Sequence, residues 1–196
     1  MRRLIVVGIA VSIVSVGCSS QPATGQAAAS ESPQVPTVAA RPPMTDEATI
    51  VRAMSAAPAD VGANATIMAV GDDGVMRQLR AGTNGFVCMA HPEAMCIDKA
   101  WQGWADAWIS KKAAPQITGI GIAYMLQGDA GASNIDPFAT AQTAGNQWVV
   151  TPAHIMVLTP DRQHLDALPA EPGNGPWVMW KGTPYAHIMV PTVPMP

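Results

Sequence analysis

Two identical pentapeptides carry the side chains best suited to chemistry. Residues 153–157 and 186–190 both read Ala-His-Ile-Met-Val. Each places an imidazole, His154 or His187, two positions before a thioether, Met156 or Met189. Alternate residues of a strand share a face, so His and Met of each copy stand together. Ala, Ile and Val then point the other way, towards a core. In the simplest antiparallel register His154 lies opposite Met189 and Met156 opposite His187. In a parallel pair like meets like. Directly opposed Cβ atoms lie about 4.5–5.5 Å apart. Two imidazoles and two thioethers brought together in this way suit Cu(I). With Asp136 or Asp129 as an oxygen ligand and water in an open position, the same histidines suit zinc. Ile-Met-Val is also ordinary strand material, and methionine is a common core filler.

A second arrangement lies just upstream. Residues 128–150 form a long polar stretch with Asp129, Ser133, Asn134 and Asp136. A loop of this length in a small domain is often functional. Ser133 with His154 as base, oriented by Asp136 or Asp129, would make a hydrolase, a constellation recognised by geometry and not by spacing. The chain has no Gly-x-Ser-x-Gly, no His-Glu-x-x-His, no Ser-x-x-Lys and no phosphate loop. The sequence therefore leans away from an enzyme and assigns no catalytic residue.

The elements that must hold these groups are legible in outline. Thr45-Asp46-Glu47 is a capped, acidic helix start, so a helix is expected over 46–56, stopped by Pro58. Residues 65–70 and 75–80 flank Gly71-Asp72-Asp73-Gly74 as a hairpin, with the two acids as turn formers and not a calcium site. Residues 86–89 read as a third strand. Ile97, Trp101, Trp104 and Trp108 recur at helical spacing in a predicted helix over 97–111. That stripe reads as the face that packs the helix onto a sheet, with a carbohydrate or ligand platform as the alternative. Residues 117–127 read as a central strand, and Gly119, Gly121 and Ala123 would let a helix approach one face. Residues 161–168 make one or two helical turns, and 177–180 a short strand that turns through 181–184 into the second pentapeptide. Together these predict a single α+β domain over 44–196: a mainly antiparallel sheet of five to seven strands with one long Trp-rich helix packed on it.

The N-terminus gives the compartment. Arg2 and Arg3 precede an apolar run from Leu4 to Val16, too short for a span of about 20 residues but suited to a signal h-region. Ser15-Val16-Gly17-Cys18 resembles the lipobox of bacterial lipoproteins, which implies a signal peptide over 1–17 and a lipid on Cys18. Ser19 in place of Asp implies outer-membrane residence in a double-membrane bacterium. Residues 18–43, rich in Ala, Ser, Pro, Gln and Thr, read as a disordered tether. Loss of Arg2 and Arg3 takes the net charge from −3 to −5, and the remaining basic residues are scattered, which argues against a nucleic-acid partner. Cys88 and Cys96 remain as an even pair in an exported chain and are expected to form a disulfide. A Cys/His metal site that includes His91 is the other reading of that segment.

Gly82-Thr83-Asn84-Gly85 with Cys88, Trp104-Ala105-Asp106-Ala107-Trp108, Tyr124-Met125-Leu126-Gln127-Gly128 and Gly175-Pro176-Trp177-Val178-Met179-Trp180 resemble segments of an uncharacterised group of exported bacterial proteins. The resemblance spans residues 55–191 and carries over no activity and no functional residue. The expectation is a lipid-anchored cell-envelope protein that works as a binding or interaction module. Its alternatives are a copper or zinc protein built on the His/Met face and a hydrolase centred on 128–150.

Overall fold

The computed structural model describes residues 44–71 and 74–196. The signal segment 1–17, Cys18, the tether 18–43 and the Asp72-Asp73 turn lie outside the described residues. The chain order is α1 (Asp46–Met54), α2 (Ala59–Asn64), β1 (Thr66–Val70), β2 (Met76–Arg80), β3 (Val87–Met89), β4 (Met95–Ile97), α3 (Lys99–Ile109), β5 (Gly121–Met125), β6 (Ala132–Ser133), β7 (Trp148–Val149), β8 (His154–Leu158), α4 (Arg162–Asp166), β9 (Trp177–Met179) and β10 (His187–Pro191). None of the described helices is long and apolar enough to cross a membrane.

Eight strands form one mixed sheet in the order β2-β1-β3-β4-β5-β8-β10-β9, and β6 pairs with β7 separately. The expected five to seven strands is therefore too few. The missing strand is β4. Met95-Cys96-Ile97 is too short to show a period of its own, and Ile97 fits the tryptophan spacing, so the sequence reading assigned it to the helix. All ladders are antiparallel except β1–β3, which is parallel.

The expectation of one long Trp-rich helix also needs correction. Four helices are described, and the tryptophan helix α3 has eleven residues. Asp98 begins it, because its carboxylate accepts the Trp101 N–H at 3.0 Å. The other oxygen of Asp98 accepts the Ile122 N–H at 2.6 Å, which ties the helix start to β5. Gly121 permits the close approach: a Cβ there would sit 3.0 Å from Ala100 Cβ and 3.2 Å from Leu158. The small residues of β5 thus serve the helix contact that their alternation suggests.

The sheet is covered on both faces. On one, α3 packs Trp101 and Trp104 over Ile97, Ala123, Met125, Met156, Met179 and Met189. On the other, α1 packs Ala53 over Ile67, Cys88 and Cys96. Cys88 and Cys96 are direct partners across β3 and β4 and form the expected disulfide. Their thiols are thereby removed as metal ligands, and His91 between them is exposed.

The two pentapeptides lie on neighbouring antiparallel strands, β8 and β10. Their faces are the reverse of the expectation. His154, Met156, His187 and Met189 are on the deeply buried face under α3, while Ile155, Val157, Ile188 and Val190 are only half-buried. The reason is the size of the partner. Four tryptophans cover the His/Met face, whereas the short helix α4 sets Leu165 against Val178 and Ala186 on the other.

Candidate functional site

Each pentapeptide repeats a local geometry as well as a sequence. His154 Nδ1 lies 2.7 Å from the carbonyl of Pro152, and His187 Nδ1 lies 3.0 Å from the carbonyl of Tyr185. A carbonyl only accepts, so each Nδ1 carries the proton and donates it two residues back. Each Nε2 is then a lone pair in the neutral ring. Both rings are buried, at 0% and 1% exposure, and neither Nε2 has a hydrogen-bond partner among the described residues. Burial holds His187 down to about 4, opposed by its bond to the Tyr185 carbonyl and reinforced by His154. Burial likewise lowers His154, opposed by the Pro152 carbonyl.

The register differs from the expected one by two residues. Met156 faces Met189, Ile188 faces Val157 and Pro191 faces His154. Pro191, the partner of His154, is four residues on from His187. At roughly 3.3 Å per residue the two histidine backbones are about 13 Å apart along the ladder. The thioethers meet in the middle of the face, and the imidazoles stand at opposite ends.

These groups line a partly open cavity of about 480 Å³ between α3 and the sheet. Met125, Met156, Met179 and Met189 form its floor, and Trp101, Trp104, Trp108 and Trp180 its walls. The Trp104 and Trp180 rings are parallel within 2° at 5.8 Å. His187 stands nearly perpendicular to Trp101, Trp104 and Trp180, with centroids 5.3, 5.5 and 5.0 Å away. The tryptophan stripe is therefore both core and cavity wall. Trp180, which sequence reasoning assigned only to a strand end, has φ +56. A bulky residue held there costs about 1–3 kcal/mol and needs its surroundings to hold it. Its backbone N–H donates to the Asn134 carbonyl at 2.8 Å and its indole N–H to the Ser133 carbonyl at 2.6 Å.

Those bonds also order the 128–150 segment, which includes the β6–β7 ladder. Trp108 donates to the Pro137 carbonyl at 2.7 Å and Trp177 to Asn134 Oδ1 at 3.2 Å. The Ser133 hydroxyl donates to the Asn146 carbonyl at 2.7 Å and accepts the N–H groups of Ile135 and Asp136. It is a structural hydroxyl in this arrangement and makes no hydrogen bond to His154. Asp136 is exposed at the cavity rim and accepts the Phe138 N–H at 2.9 Å. Asp129 is the acid beside His154: its Oδ2 lies 4.0 Å from His154 Nε2, and its Oδ1 accepts the N–H groups of Thr151 and Gly131. Burial raises Asp129 even so.

Glu93 also lines this end, and the sequence reading missed it. It lies between the cysteines, where attention went to His91, and only the fold brings it to β8. Its Oε1 accepts the Ala130 N–H at 2.6 Å. Burial raises it, the Ala130 N–H opposes that, and the neighbouring Asp129 charge raises it further. Among the described residues no group of three or more His, Cys, Asp and Glu side chains is arranged to hold a metal ion. In comparisons with known proteins, no family model, curated protein or solved structure matches the chain.

Proposed function

We propose that this is a lipid-anchored cell-envelope binding protein that takes a small, largely apolar ligand in the cavity under α3. One observation carries the reading: an aromatic and thioether cavity of about 480 Å³ that contains two buried imidazole nitrogens without protein partners. Ligand sites have this character, a mostly apolar lining with a few placed polar groups. The signal-like N-terminus, Cys18 and the disulfide support export, and the resemblance to exported bacterial proteins agrees with it. Ser133 is engaged by the backbone, which favours binding over hydrolysis. The test is a saturable change in tryptophan emission on addition of 1-octanol, abolished when Ala105→Trp fills the cavity. A linear, non-saturable response of the unaltered protein would sink the reading.

A second reading rests on the opposition of Met156 and Met189. Two opposed thioethers, with His187 two residues from Met189 on the same face, are soft ligands that suit Cu(I). Cu(I) titration against a colorimetric chelator tests it, and equal affinity in a Met156→Leu/Met189→Leu variant rules it out.

A further inference from the structure

We infer that the cavity's ligand carries a protonated amine, held where Glu93, Asp129 and His154 meet. This rests on the small-ligand reading above and names the polar end of that ligand.

Three separate parts of the chain supply the three groups. Glu93 comes from the segment between β3 and β4, Asp129 from the turn after β5, and His154 from the first position of β8. All three line the cavity. A backbone group engages one side-chain atom of each. Glu93 Oε1 is engaged by the Ala130 N–H, Asp129 Oδ1 by the N–H groups of Thr151 and Gly131, and His154 Nδ1 by the Pro152 carbonyl. Glu93 Oε2, Asp129 Oδ2 and His154 Nε2 are the atoms of these cavity-lining residues that those bonds leave over. Asp129 Oδ2 and His154 Nε2 are 4.0 Å apart, too far for a direct hydrogen bond. His154 is fully buried, and its Nε2 has no protein partner.

This end of the cavity therefore presents acceptors. Among the described residues no lysine or arginine lines the cavity. Arg52 has the smallest of the influences on Glu93, through charge, and its Nε donates to the Ala90 carbonyl at 3.1 Å. Two desolvated carboxylates and a neutral imidazole select a ligand that brings both positive charge and several N–H donors. A primary ammonium brings three. A hydroxyl brings one donor and no charge, and a carboxylate ligand is repelled. Charge-assisted hydrogen bonds are the strong ones in such a site. Beyond this end, the methionine floor and tryptophan walls receive an apolar body.

The experiment is calorimetric titration of the full chain at pH 7 and low salt with three probes of one length: n-octylammonium, 1-octanol and octanoate. The expected order is octylammonium first, tighter than octanol by about tenfold, the scale of one charge-assisted hydrogen bond, with octanoate weakest. Asp129→Asn/Glu93→Gln should remove the preference of the protein for octylammonium over octanol, with thermal melts reporting the fold. The preference should also shrink in the unaltered protein as acid protonates the two carboxylates. Equal binding of octanol and octylammonium, or tightest binding of octanoate, overturns the ammonium site while the cavity remains a binding site. Absence of binding by all three overturns the small-ligand reading itself.

Discussion

Met156 lies directly opposite Met189 across the antiparallel β8–β10 ladder. The two five-residue copies are thereby related by a local two-fold axis between the thioethers. His154 and His187 occupy equivalent places at the two ends of the diagonal, each donating Nδ1–H to the carbonyl two residues back. Their surroundings then differ: His187 stands among tryptophans, and His154 stands beside Asp129.

The central pair should matter to stability through volume. Met189→Ala removes a fully buried side chain and is expected to cost about 2–4 kcal/mol, whereas Met189→Leu should stay within about 1.5 kcal/mol. Urea unfolding of the two variants checks this. Equal losses would show that the position does not respond to volume.

His187 should make the fold acid-sensitive. Its folded value of about 4 lies below the ordinary imidazole value of 6.5. Between these values the unfolded chain binds the proton and the folded chain does not, so stability falls as pH drops from about 6.5 to 4. The full effect is on the order of 3 kcal/mol. Glu93 and Asp129, raised by burial, act with the opposite sign, since they favour the folded state at lower pH. A His187→Gln variant should therefore show a flatter, or even reversed, dependence of the denaturation midpoint on pH over this window. An unchanged slope would remove His187 as the cause.

The disulfide closes a short loop, with eight residues of sequence separation. In the chain-entropy model its loss costs about 2–3 kcal/mol. Cys88→Ala/Cys96→Ala should lower the unfolding free energy by that amount and leave the near-ultraviolet circular dichroism of the tryptophan cluster intact. Loss of that signal would show that β3–β4 supports the far end of the sheet.

Trp180 should hold the 128–150 segment. Trp180→Phe keeps an aromatic wall but leaves the Ser133 carbonyl without its indole donor. The expected loss is about 1–3 kcal/mol, with faster amide exchange concentrated at 132–136 and 146–149. Uniform exchange across the chain would mean that the bond does not anchor the segment.

Much of the frame is readable from particular residues. Thr45 with Asp46 marks the start of α1, the tryptophan spacing marks α3, and Gly121 marks the helix contact. The strand β4 is not readable, because three residues carry no measurable period. Trp180 and Glu93 escape notice for another reason: neither has a local pattern, and each becomes part of the site only through contacts across 40 or more residues, such as Trp180 with Ser133 (47 apart), or through a neighbour brought close by the sheet.

The duplicated pentapeptide shows the division most plainly. Its sequence alone determines that both copies extend, that His and Met share a face, and that a β-branched pair occupies the other. Tertiary structure alone decides the register and which face is buried more deeply. A shift of two residues keeps every side chain on its own face, so the alternating pattern is identical in the expected and the observed pairing. The choice between them is made by packing against α3 and by the β9 and β5 ladders on either side. That choice set methionine against methionine, sent the histidines to opposite ends, and placed His154 beside two acids from distant parts of the chain.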